Sequence, residues 1–316
     1  MNARYDDMYQ AASRYYVQGE TMDAIAKQLG LSRSSVSRLL KEARETGLVR
    51  ISLADEAGSR SPLAASIGRT FGVRVHLVAV REGVSEQRRF DQVARLAGRL
   101  LSEAVTDHCV IGVAWGVTSS LVVRYLQPKP LVDSIVVQMN GGTNQWSSGI
   151  PYVGEILQSV GDAFNSRVVY FPVPAFFDYA ETKNAMWRER SVQNVIALQH
   201  RLDVVVFGVG CLKGRVPSHV YTAGYMDDAD KLQLSADGVV GDVATVLLRE
   251  DGSWRDIGFN ERASGLNPAE LARVPRRFCV VADPSRAAAV VGALRAGTTT
   301  DLVIDDGTAR AVVDRL

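Results

Sequence analysis

The amino-acid sequence predicts two domains of different class: a small all-α helix-turn-helix domain over residues 1–54 and a doubly wound, largely parallel α/β domain over residues 63–316. Three observations predict this organisation. Short helical patterns punctuated by glycine fill the N-terminal part of the chain. A small, polar stretch over residues 55–62 ends in proline, which is typical of a linker. Beyond it, β-branched runs alternate with helical patterns, as in a doubly wound sheet.

Length and composition agree with this division. A chain of 316 residues is long enough for two domains, because domains typically hold about 100–200 residues. Hydrophobic residues make up 47% and charged residues 22%, which argues against disorder. The formal net charge is only +1, so the total charge does not indicate a nucleic-acid partner. The sequence shows neither a signal-peptide pattern nor a run of about 18 apolar residues, so we expect a cytoplasmic protein without membrane contact.

Three short helices are predicted at the N-terminus. The first covers Tyr5–Gln18, Thr21 caps the second, and Ser32 caps the third. Gly30 breaks the chain between the last two helices, where a turn often needs a positive φ. This order of elements is typical of a helix-turn-helix motif. Residues 48–53 then alternate partly like a strand, and whether they form a wing or continue into the linker stays open.

The third helix contains the residues predicted to contact DNA. Basic residues are bunched between Arg33 and Arg50, which would attract DNA phosphates. Because arginine commonly contacts guanine in the major groove, the first two turns are predicted to read base edges through Arg33, Ser34 and Arg38. Four further residues are predicted to contact backbone phosphates: Ser32, Ser35, Ser37 and Lys41. The alternative is an ordinary pair of surface helices with solvated basic residues.

The second domain is predicted from runs rich in Val, Ile and Phe. The predicted strands are Arg74–Val80, Cys109–Val113, Ser134–Met139, Arg167–Phe171, Val204–Val209, Ala244–Leu248, Arg277–Val281 and Asp301–Ile304. Several are almost continuously apolar, which suits strands buried on both faces of a parallel sheet. Helices are predicted between them, among others over Phe90–Val105, Thr118–Leu126, Glu181–Leu198 and Arg286–Ala296.

Three polar or glycine-rich loops that follow predicted strands form the candidate effector site. In an open α/β sheet, ligands bind beyond the carboxyl ends of the strands. The first loop could hold a phosphate through backbone amides and hydroxyls, at Gly116, Thr118 and Ser119. The second could bind a polyol at Gln138, Asn140, Gly141 and Gly142. The third could accept hydrogen bonds from sugar hydroxyls at Asp237 and Asp242. Each loop taken alone is also compatible with an ordinary turn.

Other chemistries find little support in the sequence. Cys109, Cys211 and Cys279 lie among apolar residues at spacings of neither a zinc site nor a disulfide framework, so we interpret them as buried thiols. The four histidines are scattered, and no metal or other cofactor is expected. Isomerase or deaminase chemistry would need a carboxylate base, for which Asp242 is the one candidate, without a paired acid. We therefore expect no enzyme, and a phosphosugar isomerase or deaminase with an appended DNA-binding module stays as the alternative.

Several motifs keep a common order along nearly the full chain: Tyr15-Tyr16, the helix over 34–43, Gly112 to Thr118, Gln138 to Gly142, Val240-Gly241-Asp242, and 294–297 with Asp305. Together they resemble the SorC family of sugar-binding transcriptional regulators. The resemblance implies a large domain with the fold of sugar-phosphate isomerases, assembly into dimers or tetramers, and an operator affinity that changes on effector binding. It implies a phosphate loop at Gly116 and Thr118, and a sugar pocket lined by Asn140, Gly141, Gly142 and Asp242.

Two departures from the family pattern concern the phosphate. Many relatives have Arg where Val117 stands, and a Gly-Gly-x-x-Lys-like stretch where this chain has residues 282–286. Arg286 keeps a positive charge that could bind phosphate. A free sugar or polyol therefore stays an alternative to a sugar phosphate. The sequence predicts a repressor of a carbohydrate or polyol catabolic operon, which binds double-stranded operator DNA and responds to such a metabolite. The resemblance implies that it is a homodimer or homotetramer.

Overall fold

A computed structural model describes residues 3–49, 61–81, 83–144, 148–212, 214, 218–222 and 224–316. Contacts between residues divide the chain into two compact units, Met1–Asp55 and Glu56–Leu316. Most of the predicted linker, 55–62, lies outside the described residues. Its last residue, Pro62, is the first residue of a helix. The candidate wing over 48–53 is described only at its first two residues, which lie in a turn.

The described part of the N-terminal unit forms α1 (Ala3–Ala12), α2 (Met22–Leu29) and α3 (Arg33–Glu45). The first α-helix is shorter than predicted, because a π-helical turn over Ser13–Val17 follows α1. The three helices share one apolar core, whose buried members are Met8, Ala11, Ala12, Ile25, Ala26, Val36, Leu39, Leu40 and Ala43.

Capping determines where α2 and α3 begin, as predicted. Thr21 Oγ1 accepts a hydrogen bond from the N–H of Ala24 at 3.3 Å, and Ser32 Oγ accepts one from the N–H of Ser35 at 3.1 Å. Gly30 ends α2 with a φ of +65°, a conformation that glycine adopts without steric cost. Two local signals, a hydroxyl cap and a glycine, therefore fix the turn between the two helices.

The second unit alternates helices and strands. Its helices are α4 (Pro62–Phe71), α5 (Glu86–Ala104), α6 (Val117–Val122), α7 (Ile150–Phe164), α8 (Ala180–Met186), α9 (Arg190–Gln199), α10 (His219–Thr222), α11 (Asp228–Ala236), α12 (Pro268–Leu271), α13 (Ala287–Arg295) and α14 (Asp306–Val313). Three 3₁₀ turns cover Val123–Tyr125, Gly258–Arg262 and Pro284–Arg286. Its strands are β1 (Arg74–Val78), β2 (Val110–Val113), β3 (Ile135–Gln138), β4 (Arg167–Val169), β5 (Val204–Cys211), β6 (Val239–Val243), β7 (Val246–Arg249), β8 (Arg276–Val281) and β9 (Asp301–Asp305).

The strands form one sheet that is largely parallel. Its parallel part has the order β1-β9-β8-β5-β2-β3-β4, and β6 and β7 form an antiparallel hairpin beside the end of β5. From β2 the chain extends the sheet in one direction through β3 and β4. It then returns to the other side of β2 with β5 and extends the sheet in that direction through β8 and β9. The carboxyl ends of β2 and β5 therefore flank the point where the strand order reverses, which is the usual ligand position in such sheets.

Helices cover both faces of the sheet, which confirms the doubly wound prediction. Successive residues of β5 alternate between two hydrophobic cores, with Val204 and Val206 in one and Val205 and Phe207 in the other. Helices α5 and α7 contribute to the first core, and α4, α9, α13 and α14 to the second. Among the helices within the described ranges, none is both long enough and apolar enough to cross a bilayer.

Two predicted elements differ from the structure. The segment that was predicted as the third polar loop contains a strand, β6, which pairs with β7 through a tight turn at Ala244 and Thr245. Both turn residues have positive φ values, 48° and 71°, as two-residue hairpin turns of the primed types require, so the strand predicted from Ala244 begins only at Val246. The helix predicted over Glu181–Leu198 is two helices, α8 and α9, separated at residues 187–189.

Candidate effector cavity and DNA-contacting helix

Helix α3 presents the predicted DNA-contacting residues on its solvent side. Six of them are exposed, and Ser35 is half-buried; the exposed ones are Ser32, Arg33, Ser34, Ser37, Arg38 and Lys41. The opposite face of the helix is buried through Val36, Leu39, Leu40 and Ala43. The helical period of the sequence therefore separates a core face from a face of cations and hydroxyls, as expected for an amphipathic recognition helix.

Local contacts orient the first turns of α3. Ser32 Oγ lies 2.9 Å from Ser35 Oγ, and Arg38 donates a hydrogen bond from Nη2 to Ser35 Oγ at 3.4 Å. Arg33 Nε lies 3.7 Å from Asp23 Oδ1 across the turn, and both side chains are largely exposed. An exposed ion pair of this kind contributes about 0–1 kcal/mol, so a DNA phosphate could displace the carboxylate.

The large unit contains a cavity of about 940 Å³ where the strand order of the sheet reverses. Its size lies within the range of ligand pockets, about 300–1,000 Å³. Six of the ten predicted effector residues line it: Gly116, Thr118, Ser119, Asn140, Asp242 and Arg286. The carboxyl ends of β2, β3, β5 and β8 thus bring together side chains that are far apart in the sequence.

The other predicted effector residues do not line the cavity; they are Gln138, Gly141, Gly142 and Asp237. The amide of Gln138 supports the backbone instead, because Nε2 donates to Asn140 O at 2.7 Å and Oε1 accepts from the N–H of Phe171 at 2.9 Å. Asp237 is half-buried at the C-terminal cap of α11 and accepts a hydrogen bond from Gln233 Nε2 at 2.9 Å.

Gly141 and Gly142 determine how closely the loop after β3 packs. A side chain at position 141 would overlap the carbonyl groups of Val173 and Pro174. The N–H of Gly141 donates to Ser264 Oγ at 2.9 Å, and Gly142 O accepts a hydrogen bond from a tyrosine hydroxyl at 2.8 Å. These glycines therefore let the backbone approach a neighbouring loop, which places Asn140 at the cavity.

Asn140 presents an unpaired polar atom to the cavity. Its side chain is 1% exposed, and its Oδ1 has no hydrogen-bond partner among the described residues. A buried acceptor without a partner costs about 1–3 kcal/mol of stability. A hydroxyl group of a ligand in the cavity would supply the missing donor and remove that cost.

Asp242 adds a buried carboxyl group to the same cavity. It lies on β6 opposite Gly210 of β5, where any side chain would overlap its carboxylate. Its oxygens accept hydrogen bonds from the Tyr221 hydroxyl at 3.0 Å and the N–H of Thr245 at 3.1 Å. Burial raises the pKa of Asp242, although these hydrogen bonds and the charge of Arg286 act in the opposite direction. The carboxyl group can therefore exchange hydrogen bonds with ligand hydroxyls.

The loop after β2 contributes Gly116, Thr118 and Ser119. The Ser119 hydroxyl donates to Ala114 O and closes the turn. Thr118 lies against Gly208 of β5, where a side chain would overlap its hydroxyl and methyl groups. Within the described part of the chain, the Thr118 hydroxyl has no hydrogen-bond partner, so it is the hydroxyl of this loop that can contact a ligand.

Comparison with known proteins agrees with this architecture. Residues 56–314 match the family model described as "Putative sugar-binding domain", and residues 10–61 match a helix-turn-helix domain. The chain belongs to the SorC family of sugar-binding transcriptional regulators. It is therefore a DNA-binding transcriptional regulator with a sugar-binding domain, as the sequence predicts.

Similarity to other members of the SorC family extends over nearly the whole chain. The chain is 28% identical over 307 residues, 97% of each protein, to the deoxyribonucleoside regulator of Bacillus subtilis. It is 23% identical to the sorbitol operon regulator of Klebsiella pneumoniae, over 96% of each protein. A solved domain of a possible sugar-binding transcriptional regulator from Arthrobacter aurescens TC1 is 46% identical, with a TM-score of 0.77 over 84% of this chain and 100% of that one. Full-length SorC from K. pneumoniae shares the fold over 99% of both chains, with a TM-score of 0.80 at 20% identity.

This chain departs from the SorC-family pattern in the turn over Pro284–Arg286. There Arg286 forms hydrogen bonds within the protein. Arg286 Nη1 donates to Val209 O at 2.7 Å and to Ser218 Oγ at 3.0 Å, and its Nε donates to Asp283 Oδ2 at 3.3 Å. Asp283 thus neutralises part of the positive charge of Arg286. The arginine lines the cavity while several of its donors already bind the protein.

Two cavity-lining arginines, Arg89 and Arg124, are absent from the sequence-based prediction. Arg89 lies in the first turn of α5, ahead of the predicted helix start at Phe90. Ser85 is the signal that could have identified it, because Ser85 Oγ caps α5 by accepting a hydrogen bond from the N–H of Arg88 at 3.4 Å. Arg124 lies in the 3₁₀ turn after α6 and has no comparable signal, because its position depends on packing between helices.

The cysteines and the possible metal ligands are the remaining candidate groups from the sequence. All three cysteines are buried, as predicted, and burial raises the pKa of the Cys279 thiol to about 12. In the residues that the structure describes, no three His, Cys, Asp or Glu side chains are grouped to hold a metal ion.

Proposed function

We propose that this regulator represses a carbohydrate or polyol catabolic operon and releases its operator DNA when a sugar, polyol or sugar phosphate binds the cavity. One observation carries the proposal: two buried polar groups face the same cavity, the Asp242 carboxyl and Asn140 Oδ1, the latter without a partner among the described residues. Relatives named for sorbitol and for erythritol catabolism, the latter EryD of Brucella abortus, support this class of ligand.

Polyhydroxylated ligands fit these groups because each hydroxyl both donates and accepts hydrogen bonds. One hydroxyl would donate to Asn140 Oδ1, and another would bond the carboxyl of Asp242. The Thr118 hydroxyl, with the backbone amides after Gly116, would accept a further polar group or a phosphate. Arg286 would add positive charge at the edge of the same space.

DNA recognition is proposed to use α3. Base edges would be read by Arg33, Ser34 and Arg38, and backbone phosphates would be bound by Ser32, Ser35, Ser37 and Lys41. We further propose that two or four copies act together in the cytoplasm, since two recognition helices would then read the halves of a palindromic operator. Ligand and operator would favour different conformations, so each would weaken the binding of the other by the same factor.

Catalysis is the second candidate function, and the cavity favours binding without turnover. Among the residues that the structure describes, those with carboxyl groups that line the cavity are Glu86, Asp242 and Asp283. Asp242 would be the base, but Asp283 is held by its own turn, where its Oδ1 accepts a hydrogen bond from the N–H of Ser285 at 2.9 Å. Asp283 is therefore held by its turn and is not placed as a second catalytic acid, and Glu86 is exposed at the start of α5.

The test measures DNA affinity by fluorescence anisotropy. Full-length protein selects a tight-binding fragment from a random-sequence pool, and sugars, polyols and their phosphates are then added singly. We expect one ligand class to weaken DNA binding by about five- to 150-fold, the usual range of allosteric coupling. Asn140→Leu should remove this response and leave the ligand-free DNA affinity unchanged. An affinity that no member of the panel changes would contradict the effector proposal.

A matched pair of variants tests the DNA-contacting residues. Arg38→Ala should weaken DNA binding by about ten- to 100-fold, because a bidentate contact to a base contributes about 1–3 kcal/mol. Arg44→Ala, in the last turn of the same helix, removes the same charge from another exposed position and should change the affinity less than about threefold. Equal losses of DNA affinity in the two variants would mean that α3 contributes only non-specific electrostatic attraction.

A further inference from the structure

Arg89 and Arg124 both line the effector cavity and belong to elements that pack against each other. Arg89 lies in the first turn of α5, which packs against α6 and the 3₁₀ turn that contains Arg124. The approach is so close at Gly98 of α5 that a side chain there would overlap the backbone of Tyr125. Two helices fixed against each other therefore supply both guanidinium groups.

Arg89 is held in place by a buried carboxylate. Its Nη1 donates to Asp305 Oδ1 at 2.7 Å, and Asp305 is 0% exposed. Asp305 is itself fixed at the N-cap of α14, where it accepts hydrogen bonds from the N–H groups of Gly307 at 3.0 Å and Thr308 at 3.1 Å. A guanidinium group has five N–H donors, so this ion pair orients Arg89 and leaves donors for a ligand.

Arg124 supplies charge that no described residue neutralises. Its side chain is exposed, and within the described residues it has no ion pair or hydrogen bond. Of the other described arginines that line the cavity, Arg89 has Asp305 as its carboxylate partner and Arg286 has Asp283. An oxyanion that enters the cavity would therefore gain most by approaching Arg124, and Arg89 lines the same cavity.

We propose that Arg89 and Arg124 form an anion subsite that binds the phosphate, or another oxyanion, of the effector. This inference rests on the proposed function, since it assigns a charged group to the ligand whose hydroxyls meet Asn140 and Asp242. The partnerless Asn140 Oδ1 is the independent sign that this cavity binds a ligand. The subsite uses α5 and the 3₁₀ turn after α6, whereas Arg286 belongs to the turn after β8.

The first experiment uses inorganic phosphate as the probe, so that it does not depend on knowing the sugar. Thermal unfolding of the full-length protein is followed as phosphate is added at constant ionic strength, and acetate is titrated in parallel to distinguish a carboxylate occupant. We expect phosphate to raise the melting temperature. Arg124→Gln should raise the half-saturating phosphate concentration about ten- to 100-fold, and Arg124→Lys should restore part of the affinity.

Arg88→Gln is the matched control. Arg88 precedes Arg89 on α5, is exposed and does not line the cavity, so this variant removes the same charge without touching the subsite. Its phosphate response should equal that of the natural protein. If phosphate fails to stabilise the natural protein, or if Arg124→Gln and Arg88→Gln lose equal affinity, the subsite does not exist.

The second experiment compares matched ligands: ribose with ribose 5-phosphate, and sorbitol with sorbitol 6-phosphate. In Arg124→Gln the preference for the phosphorylated member should fall about ten- to 100-fold, while the unphosphorylated member keeps its affinity within about twofold. A preference lost in Arg286→Gln and kept in Arg124→Gln would overturn the inference but not the proposed function. Phosphate binding that depends on Arg124, with no sugar or polyol bound in either series, would overturn the proposed function alone.

Discussion

Two aspartates of the large sheet are similarly buried but have opposite surroundings. Asp301, at the start of β9, is 0% exposed, and Asp242, on β6, is 4% exposed. Two arginines hold Asp301: Arg74 contacts its two oxygens at 2.9 Å, and Arg276 contacts them at 3.2 and 3.3 Å. His76 Nε2 also lies 3.1 Å from Oδ1. The hydrogen bonds to Asp242 come from neutral groups, and its carboxyl faces the cavity.

Their pKa values shift in opposite directions for this reason. Burial alone would raise the pKa of both groups. At Asp301, hydrogen bonds led by those from His76 and Arg74, with the charge of Arg276, hold the pKa well below its usual range. At Asp242 burial prevails and raises the pKa. A buried carboxylate held by arginines thus stabilises the fold, whereas a buried carboxyl with neutral partners remains able to form hydrogen bonds with a ligand.

Asp301→Asn gives the largest expected effect. The substitution keeps the shape and removes the charge that holds two arginines, so we expect a loss of about 2–3 kcal/mol in the free energy of unfolding. This is slightly less than the 3–5 kcal/mol typical of broken buried pairs, because both arginines reach water. Urea denaturation followed by tryptophan fluorescence measures the loss in the large unit, Glu56–Leu316, because all four tryptophans follow residue 61.

The control for this prediction is Asp251→Asn, which removes a carboxylate from an exposed position. It should change the stability by less than about 0.5 kcal/mol, as is usual for surface substitutions. Ligand-induced stabilisation should survive in both variants. A loss in Asp301→Asn no larger than that in the control would mean that the cation cluster does not contribute to the stability of the fold.

Gln138 and Asn140 extend the comparison to amides two residues apart. Gln138→Leu should lower the free energy of unfolding by about 1–3 kcal/mol, because the N–H of Phe171 and the carbonyl of Asn140 lose their partner. Asn140→Leu should raise it by about 1 kcal/mol, because an unpaired buried acceptor is replaced by an apolar group of similar size. The same denaturation experiment measures both changes, and opposite signs are the expected result.

Two observations would contradict the assignment of Asn140 to ligand binding. One is a destabilised Asn140→Leu variant, which would mean that its amide supports the fold as that of Gln138 does. The other is an Asn140→Leu variant that still responds fully to the effector. Stability gained at the expense of ligand response is the pattern expected where a polar group is retained for function.

Local signals in the sequence were sufficient to predict the N-terminal unit. The caps at Thr21 and Ser32 and the turn at Gly30 act within a few residues, so their pattern determines the helices directly. The parallel strands were predicted for a similar reason, because β-branched runs buried on both faces leave a continuous apolar pattern. Strand β6 was predicted as a loop, since Gly241 and Asp242 are typical of turns.

Long-range packing explains what the sequence did not reveal about the hairpin and the cavity. Strands β5 and β6 approach so closely that a side chain at position 241 would overlap Gly210 O, and one at position 210 would overlap the Asp242 carboxylate. The glycine at each position therefore reflects pairing across the sheet, and Asp242 lies opposite Gly210. Arg89 and Arg124 reach the cavity only because α5 packs on the turn after α6. Such contacts join residues that no local pattern relates, so neither arginine could be assigned to the site in advance.

The pH dependence of stability gives the smallest and most selective test of the two aspartates. An unfolded aspartate has a pKa of about 3.9. The folded pKa of Asp301 is lower, so its contribution to stability is present above about pH 4 and is lost as the pH falls through the folded value. The folded pKa of Asp242 is higher, so its contribution is present below about pH 4 and is lost as the pH rises through the folded value.

Unfolding free energies measured from pH 3 to pH 8 on the natural protein and on each asparagine variant separate the two contributions. The destabilisation in Asp301→Asn should be largest near neutral pH and should shrink in acid. Asp242→Asn should change in the other direction, becoming more stable relative to the natural protein as the pH rises, because the variant has no buried charge to form. If both differences changed with pH in the same direction, the two carboxyls would share one electrostatic environment, and the division between a structural and a ligand-facing aspartate would fail.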